Sequence, residues 1–131
     1  MTERPLSPHI TVYRMYRYTL LTSLLNRATG LVLSAGLILL VYWLVAIASG
    51  PAAYRAAHEL LSRGLLKAVY GILLATFSYH LFAGMRHLIW DTGHGLERAQ
   101  SKRSAALIAI ASILLFAGLA WWALRSGAHA P

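Results

Sequence analysis

The sequence contains no cysteine and few acidic residues, and each shortage removes a class of function. Without cysteine, the chain forms no disulfide, holds no iron–sulfur cluster by its own thiolates and uses no thiol nucleophile. Aspartate and glutamate number 4, against 12 lysines and arginines. Charged residues make up 12% of the chain, whereas a soluble domain carries about 25%. Motifs of nucleotide-binding and hydrolytic sites are also absent, so chemistry within this chain is limited to redox or proton handling.

Hydrophobic residues make up 58% of the 131 residues and concentrate in three runs long enough to cross a bilayer. The runs are Leu31–Ser49, Ala68–Met85 and Ala105–Leu124. Because lipid offers the backbone no hydrogen-bond partners, each run is predicted to be helical. We expect an all-α membrane protein with a single anchor domain. Its three transmembrane helices are predicted at about residues 22–49, 66–90 and 102–125, after an interfacial segment at 1–21.

The basic residues are divided unevenly between the two sides of the predicted spans. The N-terminal side and the loop after the second span hold eight of them, and the opposite side, with a short surface helix predicted at 54–63, holds four. The eight are Arg4, Arg14, Arg17, Arg27, Arg86, Arg98, Lys102 and Arg103; the four are Arg55, Arg63, Lys67 and Arg125. The positive-inside bias therefore predicts a cytoplasmic N-terminus. The net charge of +8 fits lipid headgroups, and no nucleic-acid partner is expected.

His80 lies inside the second apolar run, where an imidazole is costly unless it is paired or bound. Imidazole suits iron, copper and zinc, and also proton relay. His87 lies on the same helix face, but about 10.5 Å of helical rise separates the two, so they cannot both bind one haem iron. Gly84 leaves room beside His80 for a flat macrocycle. If His80 is an axial ligand, the second ligand comes from another chain; alternatively, His80 only hydrogen-bonds a neighbouring helix.

Ser23 and Arg27 are four residues apart and share a face where the first helix enters the membrane. An arginine there can hold haem propionates or a quinone headgroup, and a serine hydroxyl can bond a quinone carbonyl. The alternative for Arg27 is contact with lipid phosphate. Asp91 can pair with Arg86 or His87 or carry protons, and its alternative is a residue of the turn that ends the helix.

Three motifs resemble the cytochrome b (C) membrane-anchor subunits of succinate dehydrogenase, respiratory complex II. They are Arg4-Pro5-Leu6-Ser7-Pro8-His9, Ser23-x-x-Asn26-Arg27-x-Thr29-Gly30 and His80-x-x-x-Gly84-x-Arg86-His87-x-x-x-Asp91. The resemblance implies three transmembrane helices that pair with a second three-helix anchor subunit. It also implies that the two anchors share one haem b and dock a flavoprotein subunit and an iron–sulfur subunit.

The same resemblance implies roles for individual residues. The histidine that matches His80 is an axial haem ligand, and the partner anchor supplies the other ligand. The residues that match Ser23 and Arg27 line the ubiquinone site, and that arginine also approaches a haem propionate. The histidine that matches His87 lies near the propionates, and Asp91 matches a family acid near the same surface.

The chain departs from the family pattern at Asn26, where the family usually has histidine. Asparagine can donate a hydrogen bond to a propionate but cannot become cationic. The function expected is a haem b-binding anchor subunit of succinate:ubiquinone oxidoreductase in a bacterial inner membrane, with succinate oxidation in other subunits. The alternatives are the anchor of a fumarate reductase and a purely structural, haem-free anchor.

Overall fold

The computed structural model describes residues 17–127, and over that range the chain consists of four α-helices. They are α1 (Arg17–Ala48), α2 (Pro51–Leu61), α3 (Gly64–Asp91) and α4 (Arg98–Gly127). The described part of the chain contains no β-strand. The helices α1, α3 and α4 are each long and apolar enough to cross a membrane. The expected all-α fold with three membrane spans is thereby confirmed, and the chain is a multi-pass membrane protein.

The long helices extend beyond the apolar runs at their polar ends. The first helix, α1, begins at Arg17, inside the segment expected to be interfacial, because no breaker interrupts the sequence that follows. The rest of that segment, residues 1–16, and its motif Arg4–His9 lie outside the described residues. At the other junction, α4 begins at Arg98, and the backbone N–H of Ser101 already donates to the Glu97 carbonyl at 2.8 Å.

Sharp turns separate the helices. Gly50, between α1 and α2, has a φ of 100°, a left-handed conformation that favours glycine, and Pro51 follows as the first residue of α2. After α3, the turn contains Gly93 with a φ of 80°. Trp90 closes this turn, because its indole Nε1–H donates to the Gly95 carbonyl at 3.0 Å. The turn brings α4 back along α3.

The third helix is the centre of the bundle, since it packs against both α1 and α4. Small side chains fill these contacts: Ser78 is completely buried, and Ala83 and Ser112 are nearly so. The Ser78 hydroxyl donates to the Leu74 carbonyl at 2.8 Å, and the Ser112 hydroxyl donates to the Ile108 carbonyl at 2.6 Å. Small residues let helix backbones approach closely in lipid, where burial of apolar area gives no advantage.

Large apolar side chains mostly lie on the outer faces of the long helices. Leu31, Ile38 and Leu114 are among those that are more than half exposed. In a bilayer these faces meet lipid tails or further helices, so they carry none of the cost they would have in water. The described chain therefore has a narrow, small-residue interior and broad apolar outer faces.

Candidate functional site

The candidate site lies where α1 and α3 cross near His80. The two helices run antiparallel, since Gly30 lies against His80 and Gly36 lies against Leu73 further along α1. Both contacts depend on the missing side chains of the glycines. A Cβ built on Gly36 would lie 2.6 Å from Leu73 Cδ2, and one on Gly30 would lie 3.2 Å from His80 Cε1. The glycines therefore allow the close approach that places the imidazole against α1.

The imidazole of His80 is half-buried and hydrogen-bonded. Its Nδ1 lies 3.0 Å from Thr29 Oγ1 on α1. The same hydroxyl lies 2.7 Å from the Leu25 carbonyl and 3.0 Å from the Asn26 carbonyl. Within residues 17–127, Thr29 is the only hydrogen-bond partner of the ring. The hydrogen bond to a neighbouring helix, which the sequence offered as the alternative to haem ligation, is thus present, but it occupies only one of the two ring nitrogens.

His80 forms part of the wall of an open groove of about 600 Å³ between α1 and α3. The rest of the wall is mostly apolar: Gly30, Leu33, Ser34, Gly36, Leu37, Leu40, Leu73 and Phe77. Ligand sites of this size are typically apolar, with few well-placed polar groups. Haem needs an imidazole nitrogen with a free lone pair and a slot between apolar walls. The donor set and lining of this groove fit that group.

A polar stripe on α1 leads to the groove. Ser23, Arg27, Gly30 and Ser34 follow one another at spacings of four, three and four residues, which places them on one helix face. Gly30 and Ser34 line the groove, so Ser23 and Arg27 continue the same face toward the N-terminal end of α1. Ser23 is half-buried and Arg27 is exposed. The two predicted quinone-site residues therefore lie beyond one end of the groove.

A matching stripe runs along α3. His80, Gly84, His87 and Asp91 follow at spacings of four, three and four residues, so they also share a face. A Cβ on Gly84 would meet nothing within 4 Å, so this face is open beside His80 as the sequence indicates. His87 is half-buried, and the rings of His87 and Trp90 are perpendicular, with centroids 5.3 Å apart.

The antiparallel register brings the two stripes to the same end of the groove. Counting from the contact of Gly30 with His80, Arg27 lies level with the turn that contains Gly84, and Ser23 lies level with His87. Asp91 is exposed at the end of α3, one turn beyond His87. The predicted site residues thus occupy adjoining faces of α1 and α3.

Arg86 is buried, which the sequence analysis missed. It is 6% exposed, and its guanidinium lies 3.9 Å above the ring of Trp90. One Nη2–H donates to Ser101 Oγ on α4 at 3.2 Å, and Ser101 is itself 7% exposed. Arg86 therefore joins α3 to α4 and is not paired with Asp91, which was one of the alternatives that the sequence left open for that acid. The spacing of four residues between Arg86 and Trp90 on one helix face was the signal for this cation–π contact.

Thr29 gained significance only from the structure, which also adds an observation on Asn26. Both stand in the second motif, where sequence reasoning gave Thr29 no role. The carboxamide oxygen of Asn26 is buried and has no hydrogen-bond partner in the described part of the chain. The contact between Thr29 and His80 depends on the register of two helices, which no pattern within one helix reveals.

The family model and the individual relatives that this chain matches name the same family of proteins. A family model described as succinate dehydrogenase/fumarate reductase transmembrane subunit matches residues 1–119. The chain is similar to the succinate dehydrogenase cytochrome b556 subunit of Paracoccus denitrificans, at 39% identity over 118 residues, covering 86% of each protein. It is also similar to the mitochondrial cytochrome b560 subunit of Sus scrofa, at 38% identity, covering 91% of this chain and 71% of the relative. The cytochrome b560 subunit of Reclinomonas americana is 38% identical, over 91% of this chain and 85% of the relative.

Proposed function

Because this chain belongs to the succinate dehydrogenase/fumarate reductase transmembrane subunits, as a cytochrome b membrane-anchor subunit of succinate dehydrogenase, we propose that it binds haem b through His80. We propose further that Ser23 and Arg27 help to form a ubiquinone-reduction site. The relatives' names specify succinate dehydrogenase, which favours that enzyme over a fumarate reductase. Succinate oxidation takes place in other subunits.

The observation that carries the proposal is the position of His80 in the apolar groove. Thr29 engages Nδ1, and Nε2 has no hydrogen-bond partner among residues 17–127. A histidine that served only to join helices would leave a polar nitrogen unpaired beside apolar walls, which is unfavourable. Coordination of iron by Nε2 removes that cost. The bound haem supplies a one-electron redox centre, and the protein influences it through axial ligation, hydrogen bonds and burial.

Residues of the two stripes complete the haem site. Arg27 and His87 lie on the faces that adjoin the groove at one end, where their N–H groups can donate to propionate oxygens. The partner anchor subunit would supply the second protein ligand of the haem, and its helices would cover the open side of the groove. This arrangement accounts for an exposed groove in the single chain.

The quinone site lies at the same end of the groove, at Ser23 and Arg27. The Ser23 hydroxyl and the Arg27 guanidinium both donate hydrogen bonds, which suits the carbonyl oxygens of ubiquinone. The guanidinium can serve a quinone oxygen and a propionate together, because its donors form a planar fork. The nearby carboxylate of Asp91 is available to exchange protons with this polar end.

The proposed orientation places this polar end at the cytoplasmic face of a bacterial inner membrane, following the basic residues. The iron–sulfur subunit docks there, close to Ser23 and Arg27, and carries the flavoprotein subunit. Electrons from succinate therefore reach the quinone at the surface where the anchor binds the soluble subunits. Membrane lipid surrounds the remaining apolar faces.

The experiment that tests the haem site is a His80→Ala substitution in the complex purified from membranes. Reduced-minus-oxidised spectra should lose the low-spin haem b signal or show it strongly shifted. The matched control is His94→Ala, which removes an exposed imidazole in the turn after α3 and should leave the spectrum unchanged. An unaltered low-spin spectrum in His80→Ala would show that His80 is not the ligand.

A further inference from the structure

We propose that Thr29 is a positioning residue for His80. Its hydroxyl holds the imidazole in the tautomer with the proton on Nδ1, which leaves Nε2 as the nitrogen that binds iron. This inference rests on the proposed function of His80 as a haem ligand, and it names the group on this chain that prepares the ligand.

The hydrogen bonds of Thr29 determine the direction of its contact with His80. A threonine hydroxyl carries one proton, and Thr29 Oγ1 lies 2.7 Å from the Leu25 carbonyl and 3.0 Å from the Asn26 carbonyl. A carbonyl can only accept, whereas Nδ1 can either accept or donate, so both contacts are hydrogen bonds only if the hydroxyl proton points to the backbone, at the shorter distance to Leu25. Toward His80 Nδ1, at 3.0 Å, the oxygen is then the acceptor. A neutral imidazole has one N–H, which places its proton on Nδ1 and the lone pair on Nε2.

Gly30 fixes the position of the same ring. A Cβ at residue 30 would lie 3.2 Å from His80 Cε1, 3.8 Å from Nδ1 and 4.0 Å from Nε2. The first of these distances is shorter than an ordinary contact, so any side chain there displaces the ring. The ring therefore rests directly on the α1 backbone, within reach of the Thr29 hydroxyl. Two adjacent residues of α1 thus act on the ligand: Thr29 determines which ring nitrogen of His80 carries the proton, and Gly30 determines where the ring lies.

Such a partner matters for the strength of the iron bond. Histidines that bind metals usually donate their other ring N–H to an acceptor, which fixes the ring and makes the ligating nitrogen more basic. Loss of the acceptor typically weakens metal affinity by about 10- to 100-fold. In this chain the acceptor is a side chain within the membrane span, so it can be removed without altering the backbone.

The test compares Thr29→Val with Thr29→Ser in the complex purified from membranes. Valine keeps the branched shape and removes the acceptor, whereas serine restores it. The matched control is Thr22→Val, seven residues earlier on the same helix face. Its hydroxyl also bonds its own helix, at 2.9 Å from the Tyr18 carbonyl and 3.2 Å from the Thr19 carbonyl.

The readouts are haem transfer to excess apomyoglobin, the electron paramagnetic resonance spectrum of the oxidised low-spin haem, and its midpoint potential. For Thr29→Val we expect haem retention to weaken by about 10- to 100-fold. The spectrum should change and the midpoint potential should rise, because a less basic imidazole stabilises the oxidised iron less. Thr29→Ser and Thr22→Val should match the unmodified complex. Thr29→Ala also lacks the acceptor and is smaller than threonine, so it should reproduce the valine result. It replaces Thr29→Val in the test if the valine variant does not assemble.

Two results would overturn the proposal. One is a Thr29→Val complex that equals Thr22→Val in all three measurements. The other is a change that Thr29→Ser fails to restore, which would assign the effect to packing rather than to the hydroxyl. Failure of the underlying function is recognised separately, since His80→Ala would then retain the low-spin haem.

Discussion

The substitution Arg27→Lys tests whether the exposed cation at the end of the groove binds quinone. Lysine keeps the positive charge but replaces five N–H donors in a planar fork by a single flexible ammonium. If Arg27 only contacts lipid phosphate, lysine serves equally well. If Arg27 serves a quinone oxygen and a haem propionate together, lysine loses one of these bonds.

The expected magnitude follows from the loss of one hydrogen bond to a charged group, about 1.5–3 kcal/mol. At about 1.4 kcal/mol per factor of ten, this equals roughly a 10- to 150-fold loss in kcat/KM for ubiquinone. Arg27→Leu should lose more, because it also leaves a propionate without its positive partner where the low dielectric strengthens charge interactions. Since Arg27 is exposed in the single chain, neither substitution creates a cavity in the α1–α3 contact.

The assay measures ubiquinone-linked turnover of the purified complex beside succinate oxidation by an artificial dye acceptor. Arg27→Lys should impair the first and leave the second and the haem spectrum near normal. Arg103→Lys, an exposed arginine on α4, is the matched control and should behave as the unmodified complex. Unmodified ubiquinone kinetics in Arg27→Lys would refute the quinone role and leave lipid contact as the function of this arginine.

Two further substitutions test the site and its support. Ser23→Ala removes the hydroxyl assigned to a quinone oxygen, so ubiquinone reduction should weaken by about 0.5–1.5 kcal/mol in kcat/KM while dye-linked succinate oxidation persists; equal loss of both activities would indicate failed assembly instead. Ser101→Ala removes the acceptor of Arg86 in the buried α3–α4 contact, which should cost about 1.5–3 kcal/mol and lower the temperature of thermal inactivation. Ser126→Ala, at an exposed serine of the same helix, is its control, and equal stability of the two variants would contradict the support assigned to this bond.

The membrane spans were predictable because their signal is local. A run of about 18 apolar residues has few alternatives to a spanning helix. The helix ends were less predictable, because polar residues such as Tyr18 and Arg98 continue a helix at the membrane surface without adding to the apolar signal. The α1 helix accordingly begins at Arg17, ahead of the expected start near residue 22.

The candidate site was likewise predictable only in part: patterns within one helix could be predicted, and contacts between helices could not. The stripes through Arg27 on α1 and His80 on α3 follow from spacings of four and three residues, so the sequence alone predicted which residues share a face. Whether the two stripes face each other depends on the register in which α1 packs against α3. Gly30 and Gly36 determine that register, because their lack of side chains allows the helices to approach closely. The burial of Arg86 could not be predicted, because its buried partner, Ser101, belongs to another helix.

Several hydroxyl groups donate hydrogen bonds to carbonyls of their own helix, and this affects how the chain inserts into the bilayer. Along the membrane spans, Ser34, Ser78 and Ser112 each donate to the carbonyl four residues earlier, as Thr29 also does. Each of these helices can leave the translocation machinery with such hydroxyls already satisfied, before any neighbour is in place. Insertion therefore need not wait for tertiary structure, and cofactor loading and docking with other subunits can follow as later steps of biogenesis.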